Sequence, residues 1–339
     1  MVQRTHDVVI TNWVHDEVIR RLSGHFNVVA NRARKPWPRS LWLANVSKAD
    51  ALMLFMPDRI SEDVLRRCPR LRIIAAVLKG YDNIDIEACA RRGITVTHSE
   101  QSLTEAVAEL TVGLMISLAR SIVAGDRIVR AGRFRGWRPW LYGGSLSGST
   151  AGFLGMGEIG RATAARLRGF GCSLIYYDEQ HLSTDLEENL DVRRVELNDL
   201  IGQSDFLILA LPLAASTLHL VGPEFLAQMK CGAYLINPAR GSLVDEVAVA
   251  RALRTGRLGG YAADVFEFED WARKDRPRTI PRELLEAEHT VLTPHIGSAV
   301  DRVRCAVAME AAENIVNFYA DGKMRGVITR PDGWEMGRC

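Results

Sequence analysis

The sequence predicts an α/β protein made of two doubly wound, parallel-sheet domains. Three observations predict it. Short apolar runs alternate with amphipathic stretches along most of the chain, a glycine-rich turn follows the apolar run at Thr150, and 339 residues with 47% hydrophobic content suffice for two separate cores.

Taken in order, residues 8–11, 51–55, 72–77 and 93–96 read as strands and residues 16–22 as a helix, the alternation of a parallel sheet flanked by helices. Residues 103–130 carry a long, mostly apolar helical pattern that reads as a crossing between domains, and an irregular Trp- and Gly-rich segment, 134–149, follows. Further strands are expected near 150–154, 172–177, 205–211, 233–236, 260–265 and 290–293, and a last helix over 300–320 returns to the first domain. The expected division is a discontinuous substrate domain, 1–102 with 297–339, around an inserted domain, 103–296, with the active site in the crevice between them. The polar tail from Pro331 to Cys339 lacks periodicity and reads as loosely held.

Composition removes several classes of function. A net charge of +2 on a mixed surface does not point to nucleic acid, and the arginine clusters at 66–72 and 273–278 read as solvated faces. Six cysteines, Cys68, Cys89, Cys172, Cys231, Cys305 and Cys339, show no C-x-x-C pair and no metal-like spacing, which favours free thiols in a reducing compartment and no metal site. The first residues, Met1-Val-Gln-Arg-Thr-His-Asp, lack the apolar core of a signal peptide, and no apolar run reaches membrane-spanning length. A cytoplasmic location without a membrane partner is therefore expected.

The run Thr150-Ala-Gly-Phe-Leu-Gly155-Met-Gly157-Glu-Ile-Gly160-Arg has the order strand, glycine turn, helix start that a dinucleotide pyrophosphate needs. Gly155 permits the tight turn, Gly157 lets backbone N–H groups approach the phosphates, and Gly160 allows the helix to pack on the strand. Met156, Glu158 and Ile159 complete the expected cofactor-binding stretch of a Rossmann-type domain. Asp178 ends the next apolar run, where a carboxylate grips the ribose hydroxyls. The expected cofactor is NAD rather than NADP, because Asp178 would repel a 2′-phosphate, Glu179 follows it, and no arginine is adjacent in sequence.

Three polar residues stand just beyond apolar strands of the same half: Arg240, Glu269 and His295. The carboxyl ends of an open parallel sheet line its ligand crevice, so the three could converge there. A guanidinium clamps an oxyanion, an imidazole moves a proton near neutral pH, and a carboxylate bonded to the imidazole orients it.

The order of glycine fingerprint, Asn237-Pro-Ala-Arg240-Gly-Ser, Ala263-Asp-Val-Phe-Glu-Phe-Glu269 and Thr293-Pro-His295-Ile-Gly resembles the D-isomer-specific 2-hydroxyacid dehydrogenase family over nearly the whole chain. The resemblance implies a flavodoxin-like substrate domain and a homodimer. It implies that Arg240 orients an anionic substrate, that Glu269 pairs with the acid/base His295, and that Asp264 contacts the nicotinamide carboxamide.

Several segments resemble the phosphite-oxidising branch of that family: Phe55-Met-Pro-Asp58, Leu78-Lys-Gly-Tyr-Asp-Asn83, Gly136-Trp-Arg-Pro139 with Leu141-Tyr-Gly143, Glu269-Asp-Trp-Ala-Arg-Lys-Asp-Arg-Pro-Arg278, and His295-Ile-Gly-Ser-Ala-Val300 with Arg304. On that resemblance Lys79, Arg240, Ser298 and Arg304 would surround phosphite, with Met56, Trp137 and Tyr142 shaping the pocket, and His295 would deprotonate the attacking water as hydride leaves phosphorus. The chain departs from that branch over 98–109, which lacks its Pro-Asp and Pro-Thr, and at Ala239, where the branch carries cysteine. The alternatives are a dehydrogenase of glycerate or glyoxylate type and a dinucleotide-sensing protein without turnover.

Overall fold

The computed structural model describes residues 5–99 and 102–329. Glu100, Gln101 and the tail from residue 330 lie outside the described residues, and with them part of the 98–109 departure. In chain order the strands are β1 (Asp7–Ile10), β2 (Asn27–Ala30), β3 (Ala51–Leu54), β4 (Ile73–Ala76), β5 (Thr95–Thr97), β6 (Thr150–Leu154), β7 (Ser173–Tyr177), β8 (Val192–Arg194), β9 (Phe206–Leu209), β10 (Ala233–Asn237), β11 (Leu258–Ala263), β12 (Thr290–Leu292) and β13 (Val327–Thr329). The helices are α1 (Asp16–Ser23), α2 (Arg39–Val46), α3 (Glu62–Leu65), α4 (Ile86–Arg91), α5 (Thr104–Ala119), α6 (Ile122–Arg130), α7 (Glu158–Leu167), α8 (Thr184–Leu190), α9 (Leu197–Gln203), α10 (Pro223–Gln228), α11 (Glu246–Arg254), α12 (Arg282–Leu285) and α13 (Asp301–Tyr319).

The chain divides into two compact units. The first takes the described residues of Met1–Leu103, Trp271–Lys274 and Ala299–Cys339. Its sheet has the order β13-β5-β4-β3-β1-β2, parallel throughout except for β13 against β5. Without β13 this is the flavodoxin-like order. Central strands β3 and β4 are buried at every residue, which explains why they read as unbroken apolar runs rather than as alternating ones. Helix α13 lies against β3 and β4 and carries the late part of the chain back onto this sheet.

The second unit takes Thr104–Asp270 and Asp275–Ser298. Its sheet, β12-β11-β10-β9-β6-β7-β8, is wholly parallel and has the doubly wound Rossmann order extended by one strand. Alternate residues of β9 serve opposite faces. Phe206 and Ile208 join the core that holds Phe153 and Tyr176, while Leu207 and Leu209 join the core that holds Leu235 and Tyr261.

Two expectations need correction. The pattern at 103–130 is two helices, not one. Ser121 between them adopts φ 49°, in the left-handed region, and α5 and α6 meet at a 65° bend. Helix α5 is buried over most of its surface, whereas α6 buries none of its residues, so a change of environment replaces the single apolar helix read from the sequence. Strands β2, β8 and β13 are additions to the expected set. Each is only three or four residues long, and β13 depends on pairing with β5, remote in sequence. No single described helix is long and apolar enough to cross a membrane.

Candidate active site

The glycine turn after β6 has the shape its sequence implies. Gly155 sits at φ 93°, and a Cβ there would stand 2.5 Å from the Ala210 carbonyl oxygen. A Cβ on Gly160 would lie 3.0 Å from the Gly155 carbonyl oxygen, so the start of α7 can approach the turn this closely only without a side chain. At Gly157 the space is open, with no atom within 4 Å of a built Cβ. The exposed backbone there leads into the N-terminus of α7, where unpaired N–H groups favour an anion. These residues fit a dinucleotide: Gly155 to Gly160 would hold its pyrophosphate and Asp178 its ribose.

Asp178 also braces the turn, since its Oδ2 accepts the Met156 N–H at 2.7 Å while Oδ1 accepts the Gln180 N–H at 2.9 Å. The structure adds a cation that is not apparent in the sequence. Arg194, on the unforeseen strand β8, lies over the Tyr177 ring and points a guanidinium N–H at the Asp178 carbonyl oxygen, 3.5 Å away. The expectation that no arginine adjoins Asp178 therefore holds along the chain but not in space.

Glu269 and His295 meet. His295 Nδ1 is 3.0 Å from Glu269 Oε2, and the other oxygen, Oε1, accepts the Phe266 N–H at 3.0 Å. Both side chains are partly buried, His295 at 31% exposure and Glu269 at 16%. A carboxylate on Nδ1 fixes that nitrogen as the donor and leaves Nε2 as the atom that can trade a proton with a substrate. His295 itself has φ 53°, a left-handed conformation costly for a residue with a Cβ.

Asp264 holds that conformation in place. Its Oδ1 accepts the Ile296 N–H at 2.8 Å and the Thr293 hydroxyl at 2.6 Å, its Oδ2 accepts the Gly297 N–H at 2.7 Å, and its carbonyl oxygen accepts the His295 N–H at 2.8 Å. Burial pushes the Asp264 carboxyl up against these bonds, which pull it down. Resemblance alone assigns Asp264 to the nicotinamide carboxamide. In the structure it is 1% exposed and both its oxygens are engaged by the histidine loop.

Arg240 follows β10 on a loop organised by Asn237, whose amide donates to the Arg240 carbonyl at 2.9 Å and whose Oδ1 accepts the Ala239 N–H at 3.1 Å. The next residue, Gly241, packs against the turn that carries Glu269. A Cβ there would fall 1.9 Å from the Phe266 carbonyl carbon and 2.1 Å from the Glu267 nitrogen. Reading the chain for reactive groups misses this glycine, whose only signal is its place after the arginine.

The remaining expected residues are distributed between the units. Met56 and Lys79 follow the paired strands β3 and β4 of the first unit. The loop bearing Met56 is tied by the buried Asp58, which accepts from the Thr11 hydroxyl, the Trp42 indole and the Phe55 N–H. His98 Nδ1 donates to the Lys79 carbonyl at 2.8 Å. Arg304, on α13, is partly buried, and that burial pulls its guanidinium down from its ordinary value. Ser298 ends the second unit, close after His295. Trp137 and Tyr142, expected to shape the pocket, are instead 83% and 79% exposed in the single chain, on the segment that follows α6.

Residues 112–297 match the family described as D-isomer specific 2-hydroxyacid dehydrogenase, NAD binding domain. A glyoxylate reductase of Pyrococcus horikoshii is 39% identical over 316 residues, 92% of each chain. Among solved structures, the TT0316 protein of Thermus thermophilus superposes with a TM-score of 0.87 at 34% identity, covering 95% of this chain and 100% of its own. A glyoxylate reductase from Paecilomyes thermophila gives 0.83 at 27% identity, covering 96% and 98%. None of these is named for phosphite.

Proposed function

The chain belongs to the D-isomer-specific 2-hydroxyacid dehydrogenase family, and from that premise we propose that it interconverts a small 2-oxo acid of the glyoxylate or hydroxypyruvate type with its 2-hydroxy acid. Membership makes it an NAD-dependent oxidoreductase; the substrate is the proposal. The observation that carries it is the Glu269–His295 pair, a carboxylate-oriented imidazole just beyond the carboxyl end of β12. The names of the relatives favour the 2-oxo acid over phosphite.

When bound, the nicotinamide supplies or accepts the hydride. In reduction, protonated His295 gives the Nε2 proton to the 2-oxo oxygen, while Glu269 steadies the imidazole through Nδ1. In oxidation the same nitrogen takes the hydroxyl proton. Arg240 pairs with the substrate carboxylate and turns its 2-carbon toward the cofactor. A dinucleotide sensor without turnover would need no such oriented acid/base pair.

Phosphite is the second reading, and particular residues favour it. Lys79, Arg240 and Arg304 are the cations of the phosphite-like segments, and partial burial already disfavours the Arg304 charge, a cost that a dianion beside it would relieve. One preparation decides between the readings: NADH formation with phosphite against NADH consumption with glyoxylate and hydroxypyruvate. Faster turnover of an organic acid supports the first reading, and faster turnover of phosphite, with sulfite competing, supports the second.

The working form in this reading is a cytoplasmic homodimer. The arm after α6 exposes Phe134, Trp137, Trp140 and Tyr142 within nine residues, a density of apolar rings that a second copy would cover.

A further inference from the structure

Behind Glu269 lies a group of acids that the proposed reaction does not use. Glu246, at the start of α11, is 1% exposed, and Glu267 and Asp270, on the turn that carries Glu269, are 8% and 3% exposed. Four carboxylates cannot all stay ionised so close together without donors to hold them. Three have donors. Glu269 accepts from Phe266 and His295, Asp270 Oδ2 accepts the Ser242 N–H at 2.7 Å, and Glu267 Oε1 lies 2.6 Å from His219 Nε2. Glu246 differs. Its Oε1 accepts the Glu267 N–H at 2.8 Å, but its Oε2 is buried with no hydrogen-bond partner.

We propose that Glu246 is a positioning residue that carries the group's proton on Oε2, so that Glu269 remains the anion His295 requires, and that loss of this proton adds a negative charge behind the Glu269–His295 pair. This rests on the reading of His295 as the acid/base. Burial first, then repulsion from Glu267, Asp270 and Glu269, pushes the Glu246 carboxyl up to about 7, against the Glu267 N–H, so the change falls within the working range. Among the described residues, the ionisable groups that act on it include those three acids and the Tyr261 hydroxyl of β11. Asp245 beside it caps α11 through the Val247 and Ala248 N–H groups, and Arg276 Nε donates to the Phe268 carbonyl of the turn. On α12, Arg282 pairs with Glu286 at the surface. His219, with its side chain 40% exposed, holds the Glu267 carboxylate from the solvent side.

The test uses Glu246→Gln, which keeps the acceptor for Glu267 and cannot ionise. In the unaltered protein, infrared difference spectra should show a carboxylic acid band disappearing as pH rises through neutrality, and the variant should lack it. The imidazole signal of His295, identified by its loss in His295→Asn, should titrate at a pH lower by about half to one unit in Glu246→Gln, because the added charge is missing. The alkaline limb of kcat/KM for 2-oxo acid reduction should move the same way. A band unchanged in Glu246→Gln, or a His295 titration that coincides in the two proteins, overturns the inference. If both spectroscopic shifts appear in a protein that turns over no 2-oxo acid, the inference stands and the substrate reading falls. Should Glu246→Gln fail to fold, absence of the band from the unaltered protein alone overturns it.

Discussion

In the proposed reaction His295 takes on two burdens at once, a proton-transferring role for the imidazole held by Glu269 and a left-handed backbone held by Asp264. His295→Asn should lower turnover by about two to four powers of ten and leave NAD affinity close to that of the unaltered protein, as steady-state kinetics beside cofactor titration would show. Glu246 makes a separate prediction about stability. Its carboxyl titrates near 4.5 when unfolded and about 7 when folded, so between those values the folded state binds the extra proton and stability falls as pH rises. Denaturant unfolding across that window should lose on the order of 3 kcal/mol from this group, and Glu246→Gln should flatten the slope. At this scale the sequence is half legible. Arg240, Glu269 and His295 stand out because each is a reactive side chain a few residues beyond an apolar strand. Glu246 and the clamp formed by Asp264 stay hidden, because burial and partners from distant segments define them, not residue type or spacing.

Among elements, the glycine turn is legible in full, since strand, turn and helix are contiguous and Gly155 and Gly160 each answer to a local clash. Its neighbour β8 is not, being three residues long with only Val192 buried, and Arg194 is hidden along with it. That matters for cofactor choice. Asp178→Ala should raise NADP use relative to NAD, because it removes the repelling charge while Arg194 stays to pair with the added phosphate. It should also weaken NAD binding, since the Met156 N–H loses its acceptor. The ratio of kcat/KM values for the two cofactors checks the idea: Asp178→Ala with Arg194→Ala should lose the gain, and no gain in the single variant would refute it. The contact between the Arg240 loop and the Glu269 turn permits a sharper test. Gly241→Ala must push the two backbones apart, costing about 1–3 kcal/mol and lowering activity with it, visible as a lower Tm and a lower kcat.

For the whole molecule, both sheet orders confirm the two doubly wound sheets predicted from the sequence, because parallel strands buried on both faces leave unbroken apolar runs. What escapes are features set by environment: the bend at Ser121, and the exposure of the aromatic arm that reads as pocket wall. If the proposed homodimer is built on this arm, replacing Trp137 and Trp140 by serine should shift it to monomer in sedimentation; a dimer that survives the change, or a monomer before it, would overturn that reading. The discontinuity of the first unit carries a consequence for how the protein is made. On the ribosome, the strands β1 to β5 emerge early, yet α13, which covers β3 and β4, is translated only after the entire second unit. The nascent first sheet therefore waits with an apolar face bare while the second unit, nearly continuous in sequence, completes itself. The first unit can complete its packing only after the second has been translated, and in that interval its early segment is the one open to aggregation.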